Sequence, residues 1–162
     1  MEPPAEAYAE VRATMERVLD SNREALIDCV LGLDADVPRR HVVSSETTLL
    51  GLVKHAAAVE RLWFQERLAG LPPTEWDGPT DDVEAWQLGP ADSVDSAIAD
   101  FRQASQRSRE IVSELALHDG YDDPHHGFIS VRWILLHMIE ELARHAGHAD
   151  ILREQLGGDA TY

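Results

Sequence analysis

Cysteine is nearly missing from this chain: Cys29 stands alone, so no internal disulfide can form. Its neighbours Leu26, Val30 and Leu31 point to a packed thiol rather than a reactive one. Basic residues are scarce as well. There are 14 Lys and Arg against 30 Asp and Glu, a formal net charge of −16. Such a surface repels a phosphate backbone, which excludes nucleic acid as a partner, and is most simply read as solvated and soluble. No apolar run approaches the roughly 18 residues needed to cross a bilayer. The first residues, Met1 to Glu10, are acidic and contain proline, unlike a basic, apolar signal peptide. The expectation is a cytoplasmic protein with no membrane partner. Alternating, strand-like segments are almost absent, and there is no internal repeat or low-complexity tail before Gly158 to Tyr162.

What remains is a chain of 162 residues, 44% hydrophobic and 27% charged, enough to bury one core without a stabilising metal or disulfide. A single domain over 1–162 is expected. Apolar residues recur near a period of 3.6 in four stretches separated by Pro, Gly and Asp-rich breaks. The first helix is expected from Ala5 to Leu31, ending near Gly32. The second is expected to start at a Ser44 or Ser45 cap and to run through Leu52, Val59, Trp63 and Phe64 to Gly70. Pro72 and Pro73 then open a long connection over Leu71 to Ala91 that carries Trp76 and Trp86. A connection of this length crosses the molecule or covers a site. Asp92, with Asp95 three residues on, is the expected cap of a third helix through Ile98, Phe101 and Leu115. His118 to Gly127 breaks the pattern, Ser130 caps a fourth helix, and Gly157 with Gly158 ends it. The fold class is therefore all-α, a four-helix bundle with long crossover loops.

The chemistry concentrates on the fourth helix. His137, Glu141, His145 and His148 fall within an arc of roughly 80° at about 100° per residue. His55 on the second helix lies beside Leu52, Val59 and Leu62 on its own wheel, so two helices aim imidazole at one interior. Bundle cores build metal sites from facing helices in this way, and three protein ligands leave a coordination position open. Rise along the helix separates His137 from His148 by about 16 Å, too far for joint ligation. Glu141 with His145, or His145 with His148, each span about one turn. Spacing alone leaves the third ligand open between Glu141 and His148, while the lean of helical side chains toward the N-terminus brings 141 and 145 together. Other candidates have simpler readings. His125 and His126 sit in a Pro/Gly turn, Trp63 and Trp133 read as core anchors, and Glu140 with Arg144 as a surface ion pair.

The segments Ser45-Glu-Thr-Thr-Leu-Leu-Gly-Leu-Val-Lys-His55-Ala-Ala-Ala-Val-Glu60-Arg-Leu-Trp63-Phe64 and Val131-Arg-Trp-Ile-Leu-Leu-His137-Met-Ile-Glu-Glu141-Leu-Ala-Arg-His145-Ala-Gly-His148-Ala-Asp150 closely resemble the DinB/YfiT-like superfamily. Within it the chain is similar to an actinobacterial branch related to mycothiol-dependent maleylpyruvate isomerase. The resemblance spans nearly the whole chain and implies a metal site of one His on the second helix and a pair four apart on the fourth: His55, Glu141 and His145. Many members have His where this chain has Glu141, whereas the isomerase resembles it in having Glu. Many also place Gln where this chain has His148. Members of known activity look like mycothiol- or bacillithiol-dependent enzymes, or metal-dependent hydrolases, with zinc or nickel bound.

The resulting expectation is a divalent-metal-dependent transferase that joins a low-molecular-weight thiol to a small electrophile. His55, Glu141 and His145 hold the ion, zinc by default with nickel or iron as rivals, and His148 moves the proton. A metal-dependent hydrolase and a non-catalytic metal or small-ligand binding bundle are the alternatives. A homodimer is expected from the resemblance and from apolar residues such as Trp63, Phe64 and Leu68, taken to be exposed.

Overall fold

Each stretch of 3.6-residue periodicity becomes a helix in the computed structural model of the protein, which describes residues 5–80 and 86–159. The molecule is predominantly helical. Helix α1 covers Ala5–Asp28, α2 Leu49–Glu60, α3 Val94–Ser113 and α4 Val131–Gln155. Beyond Glu60 the chain continues α2 without a break over Arg61–Leu68, but with wider, π-type bonding. The last turn shows the extra residue directly, Ala69 N–H reaching back five positions to the Phe64 carbonyl at 3.0 Å.

The helix starts depart from expectation in two places. Thr48, not Ser44 or Ser45, caps α2, its hydroxyl accepting from Gly51 N–H. Four hydroxyl residues, Ser44, Ser45, Thr47 and Thr48, stand there, and Thr48 is the one directly before Leu49 and Leu50, both buried. Ser93, not Asp92, caps α3 through a reciprocal capping box with Ser96, leaving Asp95 as the first-turn acid. Asp92 instead accepts from Gly89 N–H and pairs with Lys54. Ser130 caps α4 as expected. At its far end, Gly157 takes φ 86°, a left-handed turn that costs glycine nothing and closes the helix.

A short antiparallel hairpin was not foreseen. Strands β1, Gly120–Asp123, and β2, Gly127–Ser130, pair with Tyr121 opposite Ile129. His125 and His126 occupy its turn, both exposed, with His126 Nδ1 2.9 Å from Asp123 Oδ1, in keeping with the expected solvated turn.

Packing pairs α1 with α4 and α2 with α3, and α2 also meets α4. Leu26, Leu49, Leu52, Phe64, Phe101, Ile134 and Leu142 are wholly removed from water at their centre. Cys29 is buried too, its thiol 3.6 Å from Asp150 Oδ1. Trp63 and Phe64 belong to this core, so the expected exposed apolar face does not exist there. Trp133 is the reverse case. It is 45% exposed and lies along His137 rather than inside.

Two buried arginines fix the helices around the core. Arg23 of α1 makes a two-pronged ion pair with Glu60 of α2, at 2.7 and 2.8 Å. Arg61 bridges Asp77 of the long connection to Asp100 of α3. No described helix is long and apolar enough to cross a membrane.

Candidate metal centre

On α4 the buried positions Val131, Leu135, Met138, Leu142 and Ala149 define the face turned to the core. At about 100° per residue, the stripe of His145, Glu141, His148 and His137 lies roughly 40° to 120° to one side of it. The polar stripe is therefore the flank of the apolar face, not its centre. His145 stands nearest the core and is buried, Glu141 is half-buried, and His148 is exposed.

From the opposite helix, His55 is buried at 6% exposure and meets this flank. Glu141 Oε1 stands 2.8 Å from His145 Nε2 and 3.5 Å from His55 Nε2. One ligand atom from each of the three lies within 4.8 Å of the other two, the only such group of three or more metal-binding side chains among the described residues. Hydrogen bonds from His145 and His55 hold the Glu141 carboxyl well below the usual carboxylate range, against the burial that opposes ionisation. Its other oxygen faces Arg144 at 3.4 Å. His145 Nδ1 is buried with no partner among the described residues, so Nε2 is the nitrogen that His145 commits to the cluster.

Two imidazole nitrogens and one ionised carboxylate, converging from two helices, are a donor set that fits a single divalent ion. Three protein donors leave room for a further ligand. His148 does not join them. Its ring is edge-on to that of His145 with centroids 5.8 Å apart. His137 lies further along, between Trp133 at 5.0 Å and Trp63 at 4.6 Å. Burial there depresses its basicity, although Glu141 and Glu140 oppose the shift. The exposed Glu140–Arg144 ion pair is present on the outer face.

The residue that helical periodicity could not find is Trp86. It lies in the long connection, where no helix fixes its direction, yet its indole stacks on His55 at 4.3 Å with an interplanar angle of 20°. It also meets the edge of His145 at 5.9 Å. The connection thus covers the site, as its length suggested. Lys54, one residue before His55, holds this cover by donating to the Gln87 carbonyl and to Asp92, both at 2.8 Å.

The sequence model of the mycothiol-S-transferase family matches residues 14–158, from the first helix to the end of the fourth. This chain belongs to the mycothiol-S-transferase family. That is a DinB/YfiT-like family, in agreement with the resemblance carried by the His55 and His137–His148 segments. The match includes every member of the cluster as well as Trp86 and His148. No curated protein and no solved structure is significantly similar to the chain.

Proposed function

We propose that the protein is a divalent-metal-dependent transferase that joins the sulfur of mycothiol to a small electrophile. The observation that carries this reading is the convergence of His55 Nε2, Glu141 Oε1 and His145 Nε2 under Trp86, in a chain matched by the mycothiol-S-transferase family over residues 14–158. The family match favours transfer over the metal-dependent hydrolase and over a bundle that only binds.

His55, Glu141 and His145 hold the ion, with zinc as the default and nickel or iron as rivals. When bound, such an ion lowers the pKa of a thiol and favours the thiolate near neutral pH. His148 is exposed beside His145 and accepts the thiol proton. The sulfur then forms a bond to the electrophilic carbon. The leaving group departs with the electron pair of the broken bond, and the proton held by His148 is returned to it. Trp86 excludes water from the buried side of the centre, and its stacked ring fixes the plane of His55. In this reading, residues 1–162 form one cytoplasmic four-helix-bundle domain of the DinB/YfiT-like type, active as a homodimer.

The test is elemental analysis of the purified protein, followed by incubation with mycothiol and a panel of small electrophiles under mass-spectrometric detection of the S-conjugate. About one equivalent of metal, with metal-dependent conjugate formation, is the expected result. Conjugate formation that persists after complete metal removal would refute it.

A further inference from the structure

Next to the metal centre lies a cavity of about 810 Å³, whose lining includes Trp86, Arg39, His41, Glu46, Thr48 and Gln87. This volume falls within the roughly 300–1,000 Å³ of small-molecule sites. We propose that this cavity seats the neutral, polyhydroxylated part of the thiol co-substrate, with its cysteinyl arm passing Trp86 to the His55–Glu141–His145 centre. The proposal rests on the transferase reading above.

The connection between cavity and centre is Trp86 itself. One face of its indole is stacked on His55, and the ring also forms part of the cavity wall. Along α2, the cavity residue Thr48 and the cluster residue His55 are seven positions apart, about 10 Å of helical rise. A small electrophile cannot bridge that distance. A two-ring polyol carrying a cysteinyl arm, as in mycothiol, spans roughly that length.

The lining chooses the ligand class. Arg39 spends both terminal guanidinium nitrogens on backbone carbonyls, of Asp92 at 2.8 Å and Gly89 at 3.0 Å. Those are the nitrogens that clamp a phosphate or carboxylate in a two-pronged fashion. With one N–H of each already engaged, and with the Glu46 carboxylate on the same wall, an anion fits less well than a neutral ligand. Glu46, Gln87, His41 and Thr48 instead offer a mixture of acceptors and donors beside an aromatic ring, which suits hydroxyl groups on an apolar ring face.

The wall is also built to hold its shape. Lys54 ties down the Gln87 carbonyl, and Arg39 the 89–92 backbone. Gly51 makes room for the Thr48 cap, since a Cβ there would stand 3.0 Å from Thr48 Oγ1, while the Trp86 carbonyl oxygen would lie at ordinary contact distance.

S-methyl mycothiol, which has no ionisable thiol, tests the proposal by isothermal titration calorimetry. The proteins are wild type, wild type with its metal removed by a chelator, and the Glu46→Gln, Gln87→Ala double variant. Both substituted side chains are exposed, so the double variant should melt within about 2 °C of wild type. Binding to wild type is expected to survive chelation within about threefold. It should weaken at least about tenfold in the double variant, as expected for losing hydrogen bonds that include a charged acceptor. S-methyl-N-acetylcysteine amide, the arm without the polyol, should bind at least about tenfold more weakly than the whole molecule. Equal binding by wild type and double variant, or by the two probes, overturns the proposal. If mycothiol is still consumed in the transfer assay, only the location of the polyol is wrong. If mycothiol is neither bound nor consumed, the transferase reading falls with it.

Discussion

Replacing Glu60 with Gln should lower the melting temperature by roughly 6–12 °C. Glu60 is fully buried and Arg23 is 4% exposed, and the two exchange a pair of hydrogen bonds at 2.7 and 2.8 Å. Removing one partner of such a pair strands the other charge in the interior, which costs about 3–5 kcal/mol. The low end applies here, since Arg23 also donates to Asp20 at 2.7 Å and would keep that contact. At about 2–4 °C per kcal/mol for a chain of this length, about 3 kcal/mol gives the stated range. Differential scanning calorimetry of the wild type, Glu60→Gln and the double variant Arg23→Met, Glu60→Leu reads it directly. The double variant replaces charge with apolar volume and should melt close to wild type or above it. The pair also bears on the site, because Glu60 lies five residues after His55, about 140° round the helix. Anchoring Glu60 to α1 therefore turns His55 toward the α4 side. A Glu60→Gln protein melting within about 2 °C of wild type would refute the reasoning and reduce the pair to the weight of a surface contact.

Glu141→Gln should weaken metal affinity at least tenfold, whereas His148→Gln should spare the metal and slow conjugate formation; competition with a chromogenic chelator measures the first and turnover the second. Paramagnetic Ni²⁺ or Co²⁺ should quench tryptophan emission, and Trp86→Phe should remove most of that change, because Trp86 is the indole stacked on His55. Asp92 contributes to the pH dependence: burial raises its pKa, but hydrogen bonds from Lys54 and the Gly89 N–H outweigh this and leave it below the ordinary 3.8. A depressed carboxylate adds stability that is fully present above the unfolded value and lost as pH falls through the folded one, so thermal melts should hold steady near neutrality and drop below about pH 4, less steeply in Asp92→Asn. Gly78→Ala should lower stability by about 1–3 kcal/mol in chemical denaturation, since its Cβ would stand 2.5 Å from Cζ of the buried Arg61, itself pinned by Asp77 and Asp100.

The residues that converge in the cluster were legible because they obey helical geometry. His145 and Glu141 are one turn apart, and His55 shares its wheel with buried Leu52 and Val59, so periodicity alone set them facing inward. The backward lean of helical side chains also anticipated that 141 and 145 would come together, while His148 stays exposed. What periodicity concealed was the offset of the polar stripe from the core centre, because four polar positions in an arc of roughly 80° look alike until the apolar face is located by burial. Trp133 was misplaced for the same reason. The hairpin escaped because strands of four residues, rich in Asp and Gly, are too short to show alternation. Trp86 escaped because nothing in a Pro- and Gly-interrupted connection sets a side chain's direction from sequence. Its position depends on tertiary contacts, chiefly Lys54 and Arg39 gripping the backbone that follows it.

Stoichiometric metal analysis of wild type, His55→Ala and His145→Ala tests most directly whether His55, Glu141 and His145 hold one divalent ion. Each histidine supplies one of only three converging donors from this cluster, so either substitution should take bound metal from about one equivalent per chain to near zero while the helical circular dichroism is kept. Full metal content in either folded variant would contradict the assignment.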